Sequence, residues 1–223
     1  MRTLGIETST HISSVALFES GKLVAEDIFS SRLVLCDQLT RRIVRIVGTE
    51  MALERIAVSC GPGSFTGLRI GLATAKALGH ALEIPVACVP TQHVLAAGCG
   101  PEHISVGVIQ RARIGHVYAG LYRIHEGAVE CLSDVELMET AGLHDKLGEA
   151  ELVVGDGWAE AVAGDERLAE LRQAGPPYDI PRASITVILA EWPEEFSIEQ
   201  LAALKPEYLL ASQAERIHGI EIQ

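Results

Sequence analysis

The chain has 223 residues, of which 48% are hydrophobic and 4% aromatic, and its formal net charge is −12. That is enough apolar material for one large domain or two lobes of about 100 residues each. It is the wrong balance for a surface that neutralises phosphates, which needs clustered Lys and Arg with aromatic platforms, so direct contact with nucleic acid is not expected. The local exceptions are Arg41, Arg42 and Arg45 on one predicted helix, and Arg111 with Arg113. The five cysteines (Cys36, Cys60, Cys88, Cys99 and Cys131) are dispersed, with no C-x-x-C pair, which suits a reducing cytosol. No signal peptide is read at the amino terminus, and the longest apolar segments are broken by Arg69, Lys76, His80, Pro85 or Pro90. A cytoplasmic protein that does not span a membrane is expected.

Taken in order, Arg2–Thr8 reads as a first strand, Thr8-Ser9-Thr10 as a polar turn and Ser14–Phe18 as a second strand. Ser20-Gly21 is a hairpin signal leading to a third, Lys22–Phe29. Leu35, Leu39, Ile43, Ile46 and Val47 recur at helical spacing. Arg55–Cys60 is a fourth strand, followed by the turn-forming Gly61-Pro62-Gly63-Ser64 and a helix running to Leu82, with Ser64 or Thr66 as its cap. On that helix Gly71, Ala75 and Gly79 form one line at a spacing of four, and Ala73, Ala77 and Ala81 form a second. An interior Gly costs about 1 kcal/mol against Ala, so bare ridges imply that another backbone comes close. Spacing alone leaves open whether that backbone belongs to the helix's own sheet or to a partner. Val86–Val89 is a fifth strand and Gln92–Cys99 a short helix.

A composition break at Gly98–Pro101 suggests two lobes, residues 1–99 and 100–223. Beyond it the order of elements begins again. Ile104–Ile109, His116–Ile124 and Ala128–Leu132 read as strands, Glu139–Leu147 as a weak helix, Leu152–Gly155 as a strand and Trp158–Arg172 as a helix. Gln173–Ala183 is a Pro- and Gly-rich loop, Ser184–Trp192 and Ser197–Leu204 are helices, and a tail starts at Lys205-Pro206.

Two copies of βββαβα suggest the lobed fold shared by sugar kinases, actin and related ATPases. Within it, Gly61-Pro62-Gly63-Ser64-Phe65-Thr66-Gly67-Leu68-Arg69-Ile70-Gly71 resembles the signature of the TsaB (YeaZ) family, and Leu4–Ser9 with Ser14–Leu17 is similar to the family's opening hairpin. Weaker echoes are Gly115–Tyr118, Gly155–Gly157, Pro181–Ala183 and Pro206–Leu209. The resemblance implies a two-lobed actin-like, sugar-kinase-like (ASKHA) α/β fold with a reduced second lobe and a tail, residues 206–223, that packs back on the first.

It also implies a role. TsaB proteins are non-catalytic partners of the paralogue TsaD, in the assembly that places threonylcarbamoyladenosine in tRNAs reading codons that begin with A. TsaE, an ATPase, completes the bacterial set, and TsaB alone forms a homodimer. Docking through the first two helices gives an expected contact set of Leu39, Ile43 and Ile46 with Leu68, Arg69, Gly71, Leu72, Ala75 and Gly79. Gly71→Leu or Ala75→Leu is then expected to break the complex and spare the fold. Glu7 stands where the family usually has Asp, Arg111 where it has a second-lobe Asp and Leu210 where it has Arg, and the His usual near the first helix is missing.

Catalysis on this chain is not expected. In an ATPase of this fold Glu7, Thr8, Ser9 and Thr10 would hold magnesium and phosphate, but Glu is one methylene longer than Asp, and about 1 Å of misplacement can cost on the order of 100-fold in rate. Weak ATP or ADP binding at these four residues is the most the pattern supports, with no required cofactor and no metal. A stand-alone nucleotide-binding enzyme is the alternative. A peptidase is disfavoured: Ser64 is not in a G-x-S-x-G elbow, and no two of the eight histidines lie three or four apart.

Overall fold

The computed structural model describes residues 1–30, 34–99 and 104–209. Leu210, the tail beyond it and residues 100 and 101 of the expected lobe boundary lie outside the described residues.

Alternation along the first strands decides which side chains face which layer. Strands β1 (Arg2–Glu7), β2 (Ile12–Glu19) and β3 (Lys22–Ser30) form an antiparallel meander. β4 (Arg55–Gly61) and β5 (Val86–Pro90) then add in parallel, giving the order β3-β2-β1-β4-β5. Leu4, Ile6, Val15 and Leu17 point into one core, while Ala16, Phe18 and Ala57 point into a second on the opposite face. Burial on both faces explains why β1, β2, β4 and β5 carry no charge except at their ends. The first core is covered by α1 (Leu35–Val47) and α2 (Phe65–Leu82). α1 buries Leu35, Leu39, Ile43 and Val47, one stripe at a spacing of four. A short helix, α3 (Thr91–Ala97), follows β5.

The second lobe repeats the plan. β6 (Ser105–Arg113), β7 (His116–His125) and β8 (Ala128–Glu139) form a meander, α4 (Leu143–Leu147) crosses over, and β9 (Leu152–Val154) pairs in parallel with β6. The order β8-β7-β6-β9 matches β3-β2-β1-β4, with no fifth strand among the described residues. The lobe is reduced, as expected. The helix expected over Trp158–Arg172 is broken: α5 (Trp158–Gly164) stops where Asp165 turns extended, and its carboxylate accepts from the Arg167 N–H to start a 3₁₀ turn, Glu166–Glu170.

The chain then returns to the first lobe. Helix α6 (Ala183–Leu189) supplies Ala183 and Val187 to the second core, and its Ala183 N–H donates to Ser14 Oγ at 2.8 Å. Glu26 of β3 pairs with Arg182 and accepts from the Ser184 N–H at 3.0 Å. Gly5 faces this helix, and a Cβ there would overlap the Ala183 carbonyl oxygen. Helix α7 (Ile198–Ala203) adds Leu201 to the first core. Its C-terminus is capped by Lys76 of α2, whose Nζ donates to the carbonyls of Ala202 (3.1 Å) and Leu204 (3.2 Å). A division at residue 99 therefore separates the first sheet from the helix that covers one of its faces. Among the described residues no helix is long and apolar enough to cross a membrane.

Candidate functional site

The signature segment Gly61–Gly71 is folded onto the β1–β2 turn. Ser64 caps α2 by accepting from the Gly67 N–H at 3.2 Å, while its own N–H donates to the Ser9 carbonyl at 2.6 Å. Thr8 Oγ1 donates to the Gly67 carbonyl at 2.8 Å. A Cβ on Gly63, Gly67 or Gly71 would overlap, respectively, the Ser9 carbonyl, the Thr8 carbonyl or the Thr8 hydroxyl. Three glycines four apart thus let a helix end lie against a turn.

The expected nucleotide contacts fall inside this clasp. Glu7, Thr8 and Ser9 are fully buried within the chain. Thr8 spends its hydroxyl on Gly67 and Thr10 donates to the Ile12 carbonyl at 2.7 Å. The Ser9 N–H donates to Glu7 Oε1 at 2.6 Å. Burial raises the Glu7 pKa above its ordinary value, against the lowering influence of its hydrogen bond from the Ser9 N–H. In this arrangement Thr10 is half-buried, and among the described residues Glu7 Oε2 and Ser9 Oγ have no hydrogen-bond partner. Across from them Arg111 donates its N–H to Asp156 at 2.9 Å and its guanidinium to Glu160 at 2.8 Å, tying the second-lobe hairpin to its neighbouring loop. Among the described residues no three His, Cys, Asp or Glu side chains gather as a metal set.

The expected docking set is corrected. Leu39, Ile43, Leu68, Leu72 and Ala75 are buried in this chain's own core. Gly71 faces Thr8, Gly79 faces Val86 of β5 and Ile46 packs partly buried against the same core. Of the set, Arg69 alone is exposed. What α2 turns outward is the other line, Ala73, Ala77 and Ala81, with Thr66, Arg69 and His80. α1 turns out Thr40, Arg41 and Arg45 around Val34 and Val44, which are 52% and 38% exposed. The sequence held a signal for this division: Leu68 and Leu72 share a face with Ala75 and Gly79, whereas Arg69 leads the Ala73–Ala77–Ala81 line.

The tail joins the same surface. The Glu207 N–H donates to the Cys60 carbonyl at 2.7 Å, so residues 206–208 lie along the end of β4. Tyr208 then stacks at 4.9 Å on Phe65, and Arg69 lies 3.9 Å over the Phe65 ring while its Nε donates to Tyr208 Oη at 3.0 Å. Nothing in the spacing of the sequence joins Tyr208 to the signature.

Comparison with known proteins gives these features a context. A family model described as tRNA N6-adenosine threonylcarbamoyltransferase (TsaD) matches residues 33–186. The tRNA threonylcarbamoyladenosine biosynthesis protein TsaB of Escherichia coli is 30% identical over 173 residues, 71% of this chain and 72% of that protein. The chain belongs to the TsaB family, inside the wider group that the TsaD model describes. The Bacillus subtilis TsaB is 34% identical over 134 residues, and the match spans 58% of each chain, so it covers little more than half of that relative. A tRNA N6-adenosine threonylcarbamoyltransferase of Syntrophobacter fumaroxidans is 28% identical over 210 residues, 83% of this chain and 60% of that one. The solved YeaZ from Pseudomonas aeruginosa superposes with a TM-score of 0.70 at 24% identity, covering 93% of this chain and 99% of that one, which shows a shared fold.

Proposed function

We propose that this chain is a non-catalytic subunit of a cytoplasmic complex that forms threonylcarbamoyladenosine in tRNAs reading codons that begin with A. Its task is to hold a TsaD-type paralogue, with a TsaE-type ATPase in the same assembly, and the same surface pairs two copies when the paralogue is absent. The observation that carries this reading is the outward face of α2. Ala73, Ala77 and Ala81 leave its backbone nearly bare, and Val34 and Val44 are exposed at the start of α1 and within it. Small residues at a spacing of four let a second helix approach closely, whereas a face meant only for water is ordinarily filled with long polar side chains. The clasped Glu7–Thr10 turn supports the non-catalytic part. No cofactor is required, and any ATP or ADP would have to bind after that turn is opened. Contact with tRNA is assigned to the partner.

Co-purification with the TsaD-type subunit tests the reading. Wild-type chain is expected to retain it and Ala77→Arg to lose it, with threonylcarbamoyladenosine in bulk tRNA falling in step. Retention of the subunit by Ala77→Arg at wild-type yield would overturn the proposal. Calorimetry with ATP and magnesium probes the alternative, a stand-alone nucleotide enzyme, which requires saturable binding to the isolated chain.

A further inference from the structure

The chain contains two arginines stacked beside Phe rings on its first two helices, and they differ in one respect. Arg42 of α1 lies 4.1 Å over Phe29 and its Nη1 also donates to both carboxylate oxygens of Asp27 at 2.8 Å. Arg69 of α2 lies 3.9 Å over Phe65 and donates through Nε to Tyr208 at 3.0 Å, yet among the described residues no carboxylate pairs with it. The chain is not short of acid, with 30 Asp and Glu residues. Stacking on one ring and bonding to another fixes a side chain whose freedom is otherwise large, and it leaves the two terminal nitrogens as a planar fork. Such a fork matches a carboxylate through two parallel hydrogen bonds. Tyr208 is itself held, by the Glu207 N–H on the Cys60 carbonyl and by its 4.9 Å stack on Phe65. Arg and Tyr are also the residues that most often anchor protein interfaces.

We infer that Phe65, Arg69 and Tyr208 form a preorganised receptor for an Asp or Glu side chain of the docked TsaD-type subunit, at the head of the Ala73–Ala77–Ala81 line. The inference rests on the docking reading above and adds the chemistry of the partner at one point. The tail's role is to hold the arginine in its binding posture, so a residue 139 positions away in sequence contributes to affinity.

Binding of the full-length chain to the purified TsaD-type subunit, measured by calorimetry, tests it. Arg69→Gln is expected to weaken binding about 30-fold with unchanged thermal melting, as loss of an interface anchor does. Arg69→Lys should recover only part of this, because it keeps the charge without the fork. Tyr208→Phe should weaken binding about threefold, a smaller loss because the stack remains and one hydrogen bond goes. Between about 50 and 500 mM salt the wild type should lose affinity more steeply than Arg69→Gln. Wild-type affinity for Arg69→Gln, with Ala77→Arg still disruptive, would overturn the receptor and leave the docking face standing. Wild-type affinity for Ala77→Arg would instead remove the docking face itself. If Arg69→Gln bound the subunit normally but the assembled complex lost tRNA, the anion would be a phosphate and the carboxylate assignment would fall.

Discussion

Gly67, Gly71, Ala75 and Gly79 descend one side of α2 and meet the Thr8 carbonyl, the Thr8 hydroxyl, the core and Val86 in turn. Ala73, Ala77 and Ala81 descend the other side and are exposed. Side-chain size and spacing are nearly the same on the two lines, but the physical causes differ. The inner line is small because this chain's own turn and sheet occupy the space. On the outer line, nothing in the described chain comes near enough to require small residues. A pattern of small residues four apart therefore reports a close approach, but not from which side.

That contrast can be broken most violently on the inner line. Gly67→Leu and Gly71→Leu should cost more than about 4 kcal/mol, because the new side chains would have to displace Thr8 itself. Circular dichroism melts would check this, and soluble protein with wild-type melting would show the two lines to be interchangeable. The docking expectation for Gly71→Leu thus changes sign: the fold fails before the complex can be assayed. On the outer line, Ala77→Arg should shift stability by less than about 0.5 kcal/mol. The same substitution should lower affinity for the TsaD-type subunit about 100-fold, since it places a long charged side chain where helices approach.

Two smaller effects sharpen the inner side. Burial raises the pKa of Glu7 in the folded chain, so folding retains a proton that the unfolded chain releases. Stability from this group is then fully present below the unfolded pKa and is lost as pH rises toward the folded one. Glu7→Gln, which cannot ionise, should match wild type near pH 5 and melt higher than wild type at pH 8. Differential scanning calorimetry at the two pH values would decide it. Lys76→Met, which removes the cap on α7, should cost about 0.5–1 kcal/mol at any pH between, seen as a small drop in the urea midpoint.

Much of the first lobe was legible because its signals are local. Alternation in Arg2–Glu7 and Ile12–Glu19, the Ser20-Gly21 turn and the Ser64 cap each act within a few residues. The length of β8 was not legible, since it runs to Glu139 rather than Leu132 and its exposed edge carries Glu130, Asp134, Glu136 and Glu139. Charges that keep an edge strand from pairing with a stranger also disguise it as loop. At the candidate site, the partner of the Thr8 hydroxyl is not legible because Gly67 lies 59 positions away and meets it only when the helix docks. The role of Lys76 as a cap is not legible either, its acceptors being 126 and 128 positions away. Arg69 is exposed, and its hold on Tyr208 depends on where the chain's last described segment returns.

The return of α6 to the first sheet has a consequence for synthesis. Ala16, Phe18 and Ala57 leave the ribosome early, but Ala183 and Val187, which cover them, emerge several seconds later at about 5–20 residues per second. Through that interval the nascent chain carries a half-dressed sheet with one greasy side in water. The sheet is closed only when the residues from 183 onward have been made.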